Sequence, residues 1–433
     1  MKLSKRNRLL MGVTLFSMFF GAGNLIFPPY LAYQAGGATW PAMVGFCLSA
    51  IGLPVLGVVA IAKCGGLDAL AGRVHPKFAQ IFILLCYVSI GPGLAIPRNA
   101  GTSFEMAVLP FLGEGAPVAL LGTGYSVVFF AVAMVIALRP EKLSDRLGKV
   151  LTPILLTLIA AIFLGTLMHG GSYAPAGSVY LTNPVQGFLD GYQTMDAIAA
   201  LNFGLIIALN IRGKGVEDEH GVVWETVSAG WIAGGLLLAV YCALAHVGGV
   251  AGTLVEGAAN GAGTLSGMVA LLFGPLGSVI LAVIFVIACL NTATGLLTCC
   301  SNYFHGLLPR VSYRAWVVFF AVSSTVVANA GLNAILAVSV PILGAIYPVA
   351  IVLIVLGLGR NFFDRIPGVY PGTVLFAGVV SLMNTLADLG VATDAIQNLL
   401  LRLPLFGWGM HWVLPALLGG VLGAAVSLAR SKK

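Results

Sequence analysis

Apolar residues occur along the whole chain in runs that are long enough for membrane-spanning helices. A spanning α-helix needs about 20 predominantly apolar residues, and twelve runs are near or above this length. The pattern predicts an all-α polytopic membrane protein with twelve transmembrane helices. The predicted helices cover approximately residues 8–35, 40–63, 78–98, 117–138, 150–168, 188–211, 227–249, 269–299, 315–331, 335–358, 371–387 and 412–429.

The first apolar run contains an interruption that does not favour a continuous helix. Residues 21–24 are Gly-Ala-Gly-Asn, and Pro28 and Pro29 follow them. Lipid offers no hydrogen-bond partner, so non-helical backbone at membrane depth occurs only where it is buried in protein or lines a cavity. In secondary transporters such breaks leave helix ends that bind the substrate and a coupling cation. The alternative is a glycine and proline kink that serves helix packing.

A second interruption lies in the sixth run. Residues 191–204 read Gly-Tyr-Gln-Thr-Met-Asp-Ala-Ile-Ala-Ala-Leu-Asn-Phe-Gly, so polar and small residues again break the apolar pattern. Runs one and six occupy corresponding positions if the first five spans are repeated by the next five. Because five is an odd number of spans, the second copy would enter the membrane from the opposite side, so its topology would be inverted. The two breaks together therefore favour a transporter site between the halves.

The eighth run carries a set of oxygen-bearing residues. Ala288, Asn291 and Thr292 stand at positions i, i+3 and i+4, so their oxygens share one side of a helix. Oxygen ligands suit a hard cation. The alternative is that these polar side chains hydrogen-bond the backbone or a neighbouring helix.

Charge placement supports the spans and orients them. Charged residues make up 9% of the chain and hydrophobic residues 59%, whereas soluble proteins average about 25% charged residues. With a cytoplasmic N-terminus, all of the 22 Lys and Arg residues except Arg98 and Arg402 fall in inside segments. The positive-inside rule thus predicts that both termini are cytoplasmic. The basic residues form no single patch, which argues against nucleic-acid binding, and the cysteines show no metal-type pairing, so no resident cofactor is expected.

Three charged residues lie close to or within the predicted spans. Asp196 is well inside the sixth span if that span begins near residue 188, and an intramembrane acid is costly and usually functional. It is a candidate proton or cation partner. Arg98 and Glu105 lie seven residues apart and share a face at the predicted outer end of the third span. They are candidates for an external gate pair, but an anchor at the interface is the favoured interpretation.

Four segments together resemble the bacterial branched-chain amino acid:cation symporters. The segments are residues 20–29 (Phe-Gly-Ala-Gly-Asn-Leu-Ile-Phe-Pro-Pro), 91–105 (Gly-Pro-Gly-Leu-Ala-Ile-Pro-Arg-Asn-Ala-Gly-Thr-Ser-Phe-Glu), 192–200 (Tyr-Gln-Thr-Met-Asp-Ala-Ile-Ala-Ala) and 339–348 (Ser-Val-Pro-Ile-Leu-Gly-Ala-Ile-Tyr-Pro). The similarity spans nearly the whole chain. It implies sodium-coupled uptake of leucine, isoleucine and valine across a bacterial cytoplasmic (inner) membrane, by a transporter and not by an enzyme.

The resemblance also implies a fold. Members of the amino acid-polyamine-organocation superfamily have a five-plus-five inverted repeat, the LeuT-like fold. For this chain the resemblance implies one transporter domain over residues 1–433. Its first repeat would cover residues 8–168 and its second residues 186–358, and two additional helices would lie within residues 371–429.

The resemblance further implies a sodium site. In related transporters two carbonyls of span one and three residues of span eight form it. By this correspondence the ligands here are Ser17 and Phe20 together with Ala288, Asn291 and Thr292. Many relatives have a hydroxyl residue where this chain has Asn291. The amide oxygen of Asn291 can still bind sodium, but this difference bears on the affinity for the ion and on the ion preference.

The expected substrate site combines the two breaks. The α-carboxylate is expected to meet N–H groups at Ala22, Gly23 and Asn24, at the N-terminus of a half-helix. Carbonyls around Phe20 and Gly21, and in the sixth-span break around residues 199–202, are expected to accept from the α-ammonium. These latter residues include Ala199, Ala200 and Asn202, and Phe203 is the expected wall of an apolar pocket. One methylene changes binding by only about 1–3 kcal/mol, so the pocket should accept leucine, isoleucine and valine.

Other functions remain as alternatives. The same fold could couple transport to protons through Asp196, or transport another neutral amino acid. A channel is a different class, as is an intramembrane enzyme, although the sequence contains no HExxH motif, no GxSxG motif and no acid pair at catalytic spacing. A structural scaffold or sensor would leave both helix breaks unexplained.

Overall fold

The computed structural model of the protein describes residues 3–113, 115–138 and 144–431. Within these ranges the side chains of residues 144–152, 203 and 431 are not described. Every regular element in the described ranges is a helix, as the apolar pattern predicts. The helices of the first part are α1 (Lys5–Phe19), α2 (Ala22–Ala35), α3 (Thr39–Cys47), α4 (Leu53–Cys64), α5 (Leu67–Gly72), α6 (Pro76–Val88), α7 (Ala95–Ala107), α8 (Val118–Ala137) and α9 (Ser144–His169).

The remaining helices include the two longest of the described chain. α13 begins after Asp218, whose Oδ2 accepts a 2.6 Å hydrogen bond from the Gly221 N–H, and this bond lowers the pKa of the carboxyl. The helices of this part are α10 (Ser178–Thr182), α11 (Gln186–Asp190), α12 (Asp196–Arg212), α13 (Glu219–Leu254), α14 (Gly261–Leu307), α15 (Tyr313–Ala328), α16 (Leu332–Leu358), α17 (Arg360–Phe363), α18 (Val369–Asp388), α19 (Asp394–Leu401) and α20 (Val413–Ser431).

Both predicted helix breaks are present. The first separates α1 from α2 at Phe20 and Gly21, and Gly21 has an extended backbone with φ −118° and ψ −173°. The second precedes α12 at Met195, which has a left-handed backbone with φ 63° and ψ 8°. The sequence placed this second break around residues 199–202, but these residues are helical, and the Ala199 N–H bonds the Met195 carbonyl. The break therefore precedes Asp196, which becomes the first residue of a helix.

Helices α1 and α2 are embedded among α12, α13 and α14. α13 packs along both halves of the broken helix. The close approach requires Gly248, since a Cβ at this position would overlap the Pro29 carbonyl oxygen. α14 contacts α2 and α7. The break between α1 and α2 is therefore surrounded by protein, which is the condition under which non-helical backbone is tolerated at membrane depth.

Two helices at the C-terminal end pack mainly on each other. α18 and α20 approach closely at glycines, because a Cβ on Gly372 would overlap the Gly419 carbonyl oxygen and a Cβ on Gly368 would overlap that of Gly423. Small residues commonly allow membrane helices to pack in this way. α18 also packs on α16, so this pair lies beside the helices that surround the break and not around it.

The described helices fit a membrane protein. Among the residues that the structure describes, eight helical stretches are long and apolar enough to span a bilayer, and two shorter apolar helices cover Pro153–His169 and Tyr313–Ala328. Many large apolar side chains are exposed, such as Leu120, Met168 and Trp231. This is the surface that a lipid environment solvates. The count of twelve spans, the inverted repeat and its boundaries stay predictions.

Candidate functional site

The two helix breaks face one cavity of about 370 Å³. Its volume lies in the range of small-molecule sites, about 300–1,000 Å³. Among its lining residues, Ser17 and Ile206 are exposed, whereas Asn24 and Asp196 are buried. The cavity therefore opens to the surface on the side of Ser17 and Ile206. Its walls come from residues 17–24 of the first break, Ile90, Ala95, Arg98, Asn99, Thr194, Met195, Asp196, Ala199, Ile206, Asn291, Thr292, Gly295, Leu296 and Cys299.

Asn24 explains why the chain leaves the helix at the first break. Its Oδ1 accepts from the Gly21 N–H at 3.1 Å, and in a continuous helix that N–H would bond the Ser17 carbonyl. The Asn24 N–H bonds the Gly21 carbonyl at 3.2 Å and not that of Phe20. The Asn24 side chain thus takes up one donor of a continuous helix, and the Asn24 backbone N–H is a second donor that leaves the helical pattern. As a result the Ser17 and Phe20 carbonyls lose their usual helical partners at the cavity.

A buried hydrogen-bonded group joins the two breaks. Asn24 Nδ2 donates to Asp196 Oδ2 at 2.5 Å and also contacts the Tyr241 hydroxyl at 2.6 Å. The Tyr241 hydroxyl lies 3.4 Å from the same carboxylate oxygen. All three side chains are at most 4% exposed. Asp196 is therefore a buried acid beside the cavity, and its position within a membrane span stays a prediction.

Arg98 lies in this cavity and does not anchor an interface. Its side chain is 5% exposed, whereas a snorkelling arginine keeps its charge in water, so the favoured sequence interpretation was wrong for this residue. Arg98 Nη1 donates to the Gln193 carbonyl at 2.7 Å, and the guanidinium carbon lies 5.2 Å from the centre of the Phe27 ring. A π-helical turn at Ser89–Gly93, with a non-helical backbone at Gly91, precedes α7, so the face on which Arg98 lies does not follow from the regular period of the preceding helix.

Glu105 has a different environment from Arg98. Its Oε2 accepts from Asn260 Nδ2 at 2.5 Å, and that amide also donates to Asn333 Oδ1 at 2.9 Å. Asn260 caps α14. Arg98 and Glu105 therefore contact separate partners, and the paired external gate suggested by their spacing is not formed in this structure.

The residues expected to bind sodium meet at one side of the cavity. Ser17 and Phe20 line it, as do Asn291 and Thr292 of α14. Asn291 Oδ1 is buried without a hydrogen-bond partner among the described residues. Thr292 Oγ1 donates to the Ala288 carbonyl at 3.1 Å, which places this carbonyl next to the cavity lining although Ala288 is not part of that lining. The atoms expected to bind the ion are all oxygens, and oxygen ligands suit a hard monovalent or divalent cation better than a soft metal.

The expected substrate residues separate into two groups. Phe20, Gly21, Ala22, Gly23 and Asn24 line the cavity, as does Ala199. The Asn24 N–H is already bonded to Gly21, so the free donors of this turn are the N–H groups of Ala22 and Gly23.

Other expected substrate residues point elsewhere. Ala200 packs under Gly57 of α4, and Asn202 Nδ2 donates to the Ile198 carbonyl at 3.1 Å inside α12. Neither belongs to the cavity lining. The side chain of Phe203 lies outside the described residues, so its role as an apolar wall stays a prediction.

Two polar residues of the site were missed by sequence reasoning. Tyr241 is a single tyrosine in an apolar run of α13, a position that carries no distinguishing pattern. Asn99 lines the cavity, is 3% exposed and leaves Oδ1 without a partner among the described residues. The adjacent polar pair Arg98-Asn99 inside an apolar stretch was the available signal for it.

Comparison with known proteins identifies the family of this chain. A family model described as "Branched-chain amino acid transport protein" matches residues 4–430. The chain belongs to this family. The resemblance seen in the sequence is thereby confirmed, and the family and its named relatives are transport proteins and not enzymes.

Two relatives from Bacillus subtilis (strain 168) match over almost their full length. The branched-chain amino acid permease BraB is 39% identical over 427 residues, which cover 98% of this chain and 96% of BraB. The branched-chain amino acid permease BrnQ is 38% identical over 437 residues, which cover 100% of this chain and 99% of BrnQ.

Solved transporters share the fold at low sequence identity. The inward-facing conformation of Mhp1 has a TM-score of 0.63 and 12% identity, covering 98% of this chain and 91% of Mhp1. A Na⁺-coupled sialic acid symporter in an outward-open state has a TM-score of 0.58 and 14% identity, with coverages of 97% and 90%. The family member described here thus shares the all-helical fold of these solved transporters, while the five-plus-five inverted repeat stays a prediction.

Proposed function

We propose that the protein is a secondary transporter that couples uptake of leucine, isoleucine and valine to sodium. The observation that carries the proposal is one cavity on which both helix breaks converge, with freed carbonyls beside unpaired side-chain oxygens. The names of the two Bacillus permeases support the substrate class, and the fold shared with a sodium-coupled symporter is consistent with the ion. The cavity open on one side is one state of an alternating-access cycle.

In this proposal sodium binds between the end of α1 and α14. The carbonyls of Ser17 and Phe20 supply two ligands, since Asn24 has diverted their helical donors. Asn291 Oδ1, Thr292 Oγ1 and the Ala288 carbonyl supply the others. The unpartnered Asn291 oxygen is the group that gains most, because a buried acceptor without a partner costs about 1–3 kcal/mol.

The amino acid is proposed to bind across the two breaks. Its α-carboxylate meets the free N–H groups of Ala22 and Gly23, where the helix dipole favours an anion. Its α-ammonium meets carbonyls around Phe20 and Gly21. The aliphatic side chain extends toward apolar lining such as Ile206, Leu296 and Ile90.

A second candidate couples the same transport to protons. Asp196 favours it, since this carboxyl is 4% exposed and lies at the cavity between the breaks. An Asp196→Asn variant separates the two candidates, because it replaces the carboxyl by a neutral amide of the same size, which still accepts hydrogen bonds but cannot carry the titrating proton. Uptake that is unchanged by this substitution at every pH would exclude proton coupling through Asp196.

The deciding experiment is leucine uptake into proteoliposomes with sodium, lithium and proton gradients imposed one at a time. We expect saturable accumulation above equilibrium under a sodium gradient, and inhibition by isoleucine and valine. Accumulation driven by a pH gradient alone would contradict sodium coupling. Flux that never exceeds equilibration would instead identify a channel, and the absence of any uptake would fit a scaffold or sensor.

The proposal includes the location of the protein. The distribution of basic segments supports cytoplasmic termini, and the proposed location is the inner membrane of a bacterial cell. Reporter fusions after residue 431 that are active only in the cytoplasm test this orientation. A reporter that is active outside the membrane would contradict the even number of spans.

A further inference from the structure

Arg98 places a second positive group against the N-terminus of α2. A Cβ built on Gly23 would lie 2.9 Å from Arg98 Nη2, so the guanidinium rests directly on the backbone of the first helical turn. A helix N-terminus already carries about half a positive charge. Two positive groups in contact are unfavourable unless an anion lies between or beside them.

The burial of Arg98 makes the need for an anion stronger. An arginine that is 5% exposed has left bulk water, and a buried charge normally requires a paired opposite charge. Within the described chain, Arg98 Nη1 donates a hydrogen bond to a neutral group, the Gln193 carbonyl. Guanidinium carries five donors. The Asp196 carboxylate at the same cavity interacts with the Arg98 charge from a distance, but no direct ion pair of Arg98 is formed within the described part of the chain. Donors on a cavity wall therefore remain for a ligand.

We propose that Arg98 binds the α-carboxylate of the transported amino acid together with the N–H groups of Ala22 and Gly23. This inference rests on the function proposed above and adds a charged side chain to a site built otherwise from backbone. A guanidinium binds a carboxylate in a directional, bidentate manner that a helix end alone lacks. The guanidinium carbon lies 5.2 Å from the centre of the Phe27 ring, a cation–π contact that helps to hold the charged group at this position.

The other polar groups of the cavity complement a zwitterion. Asn99 Oδ1 is a buried acceptor without a partner in the described chain, and the Asp196 carboxylate lies at the same cavity. Both suit an α-ammonium. A zwitterion adds no net charge, and it offers a carboxylate to Arg98 and an ammonium to the acceptors Asn99 and Asp196. An amine that lacks the carboxylate leaves Arg98 unpaired. The substrate class is therefore free α-amino acids and excludes their amides and alcohols.

The test is competition against labelled leucine uptake by leucine and by leucinol, which lacks the carboxylate. In the unaltered protein we expect leucine to inhibit at concentrations at least about tenfold lower than leucinol. In Arg98→Gln the inhibitory concentration of leucine should rise about 10- to 100-fold, the effect of one charge-assisted pair. That of leucinol should change less than about threefold. Arg98→Lys keeps the positive charge but loses the bidentate guanidinium. Its inhibitory concentration of leucine should lie between those of the unaltered protein and Arg98→Gln.

Arg402→Gln is the matched control, since Arg402 is an exposed basic residue away from the cavity, and it should leave both inhibitors unchanged. A merely charge-balancing role for Arg98 is tested by Arg98→Gln combined with Asp196→Asn. Recovery of leucine affinity in this neutral pair would overturn the proposal, because the carboxylate contact would still be missing.

The outcomes separate this inference from the transport function. If Arg98→Gln does not fold, as judged by thermal unfolding in detergent, Arg98→Lys decides, and an unchanged ratio of leucine to leucinol inhibition in it would overturn the assignment. If the unaltered protein takes up no branched-chain amino acid, the proposed function itself fails. Leucine uptake with an Arg98-independent ratio rejects only the role of Arg98.

Discussion

Asn24 Nδ2 donates a 2.5 Å hydrogen bond to Asp196 Oδ2, and this bond connects the first turn of α2 to the first residue of α12. The same asparagine accepts from the Gly21 N–H through Oδ1. The Asn24 amide therefore stabilises the break between α1 and α2 and also hydrogen-bonds this break to the one that precedes α12.

Replacing Asn24 with alanine should loosen this connection. The Gly21 N–H, the Asp196 carboxylate and the Tyr241 hydroxyl would each lose a partner, and an unsatisfied buried group costs about 1–3 kcal/mol. We expect a loss of about 3 kcal/mol in the free energy of unfolding and no leucine uptake. Asn329→Ala is the control, since its exposed amide donates only to the Thr325 carbonyl. Equal melting temperatures of the two variants would contradict the role of Asn24.

Tyr241→Phe tests the hydroxyl that the sequence did not reveal. The ring is buried against Phe46, with centroids 5.4 Å apart, and phenylalanine preserves this packing. Only the contacts to Asn24 and Asp196 are lost, so the free energy of unfolding should fall by about 1 kcal/mol. Leucine uptake should weaken but persist. A variant as stable and as active as the unaltered protein would show that the hydroxyl does not support the network.

Thr292→Ala tests the sodium site. Loss of one oxygen ligand should raise the sodium concentration required for half-maximal uptake about tenfold, which corresponds to about 1.4 kcal/mol. The leucine requirement at saturating sodium should change much less. Thr294→Ala is matched to it, because Thr294 Oγ1 makes the same type of bond, to Leu290 at 2.7 Å, but does not line the cavity. Equal effects on the sodium and leucine requirements would argue against direct ligation.

Gly23→Ala tests the close approach at the first break. The added methyl would lie 2.9 Å from Arg98 Nη2 and 3.2 Å from the Phe27 ring, so the guanidinium must move away from α2. Leucine affinity should fall at least about tenfold, and Gly23→Leu should abolish binding. Gly344→Ala is the control, since nothing lies within 4 Å of the added atom in α16. Unchanged leucine uptake by Gly23→Leu would remove this turn from the binding site.

A separate prediction concerns the attachment of α1 to α13. Glu225 is fully buried and accepts from Arg8 Nε and Nη2, each at 2.8 Å, and from the Leu3 N–H. Glu225→Gln would turn an amide donor toward these donors, so it should lower the free energy of unfolding by about 2 kcal/mol. Glu219→Gln breaks a more exposed pair with Arg360 and should cost less than about 1 kcal/mol. Thermal unfolding of the two variants compares these effects, and equal losses would contradict the difference in burial.

The sequence by itself determined the membrane class, the family and the presence of two broken helices. These follow from local properties: the length of apolar runs, the positions of glycine and proline, and motifs read directly along the chain. The residues of the first break and the α14 pair Asn291 and Thr292 were also found, because a helix fixes which neighbours share a face.

Only the tertiary structure decided the position of the second break, the inward location of Arg98 and the contact of Asn24 with Tyr241. A left-handed Met195 has no sequence signature, and a π-helical turn rotates α7 by an amount that regular periodicity does not contain. Asn24 and Tyr241 are joined across 217 positions of the chain. Such a contact depends on how helices pack, and packing is set by the whole assembly of side chains, not by the residues nearby in sequence.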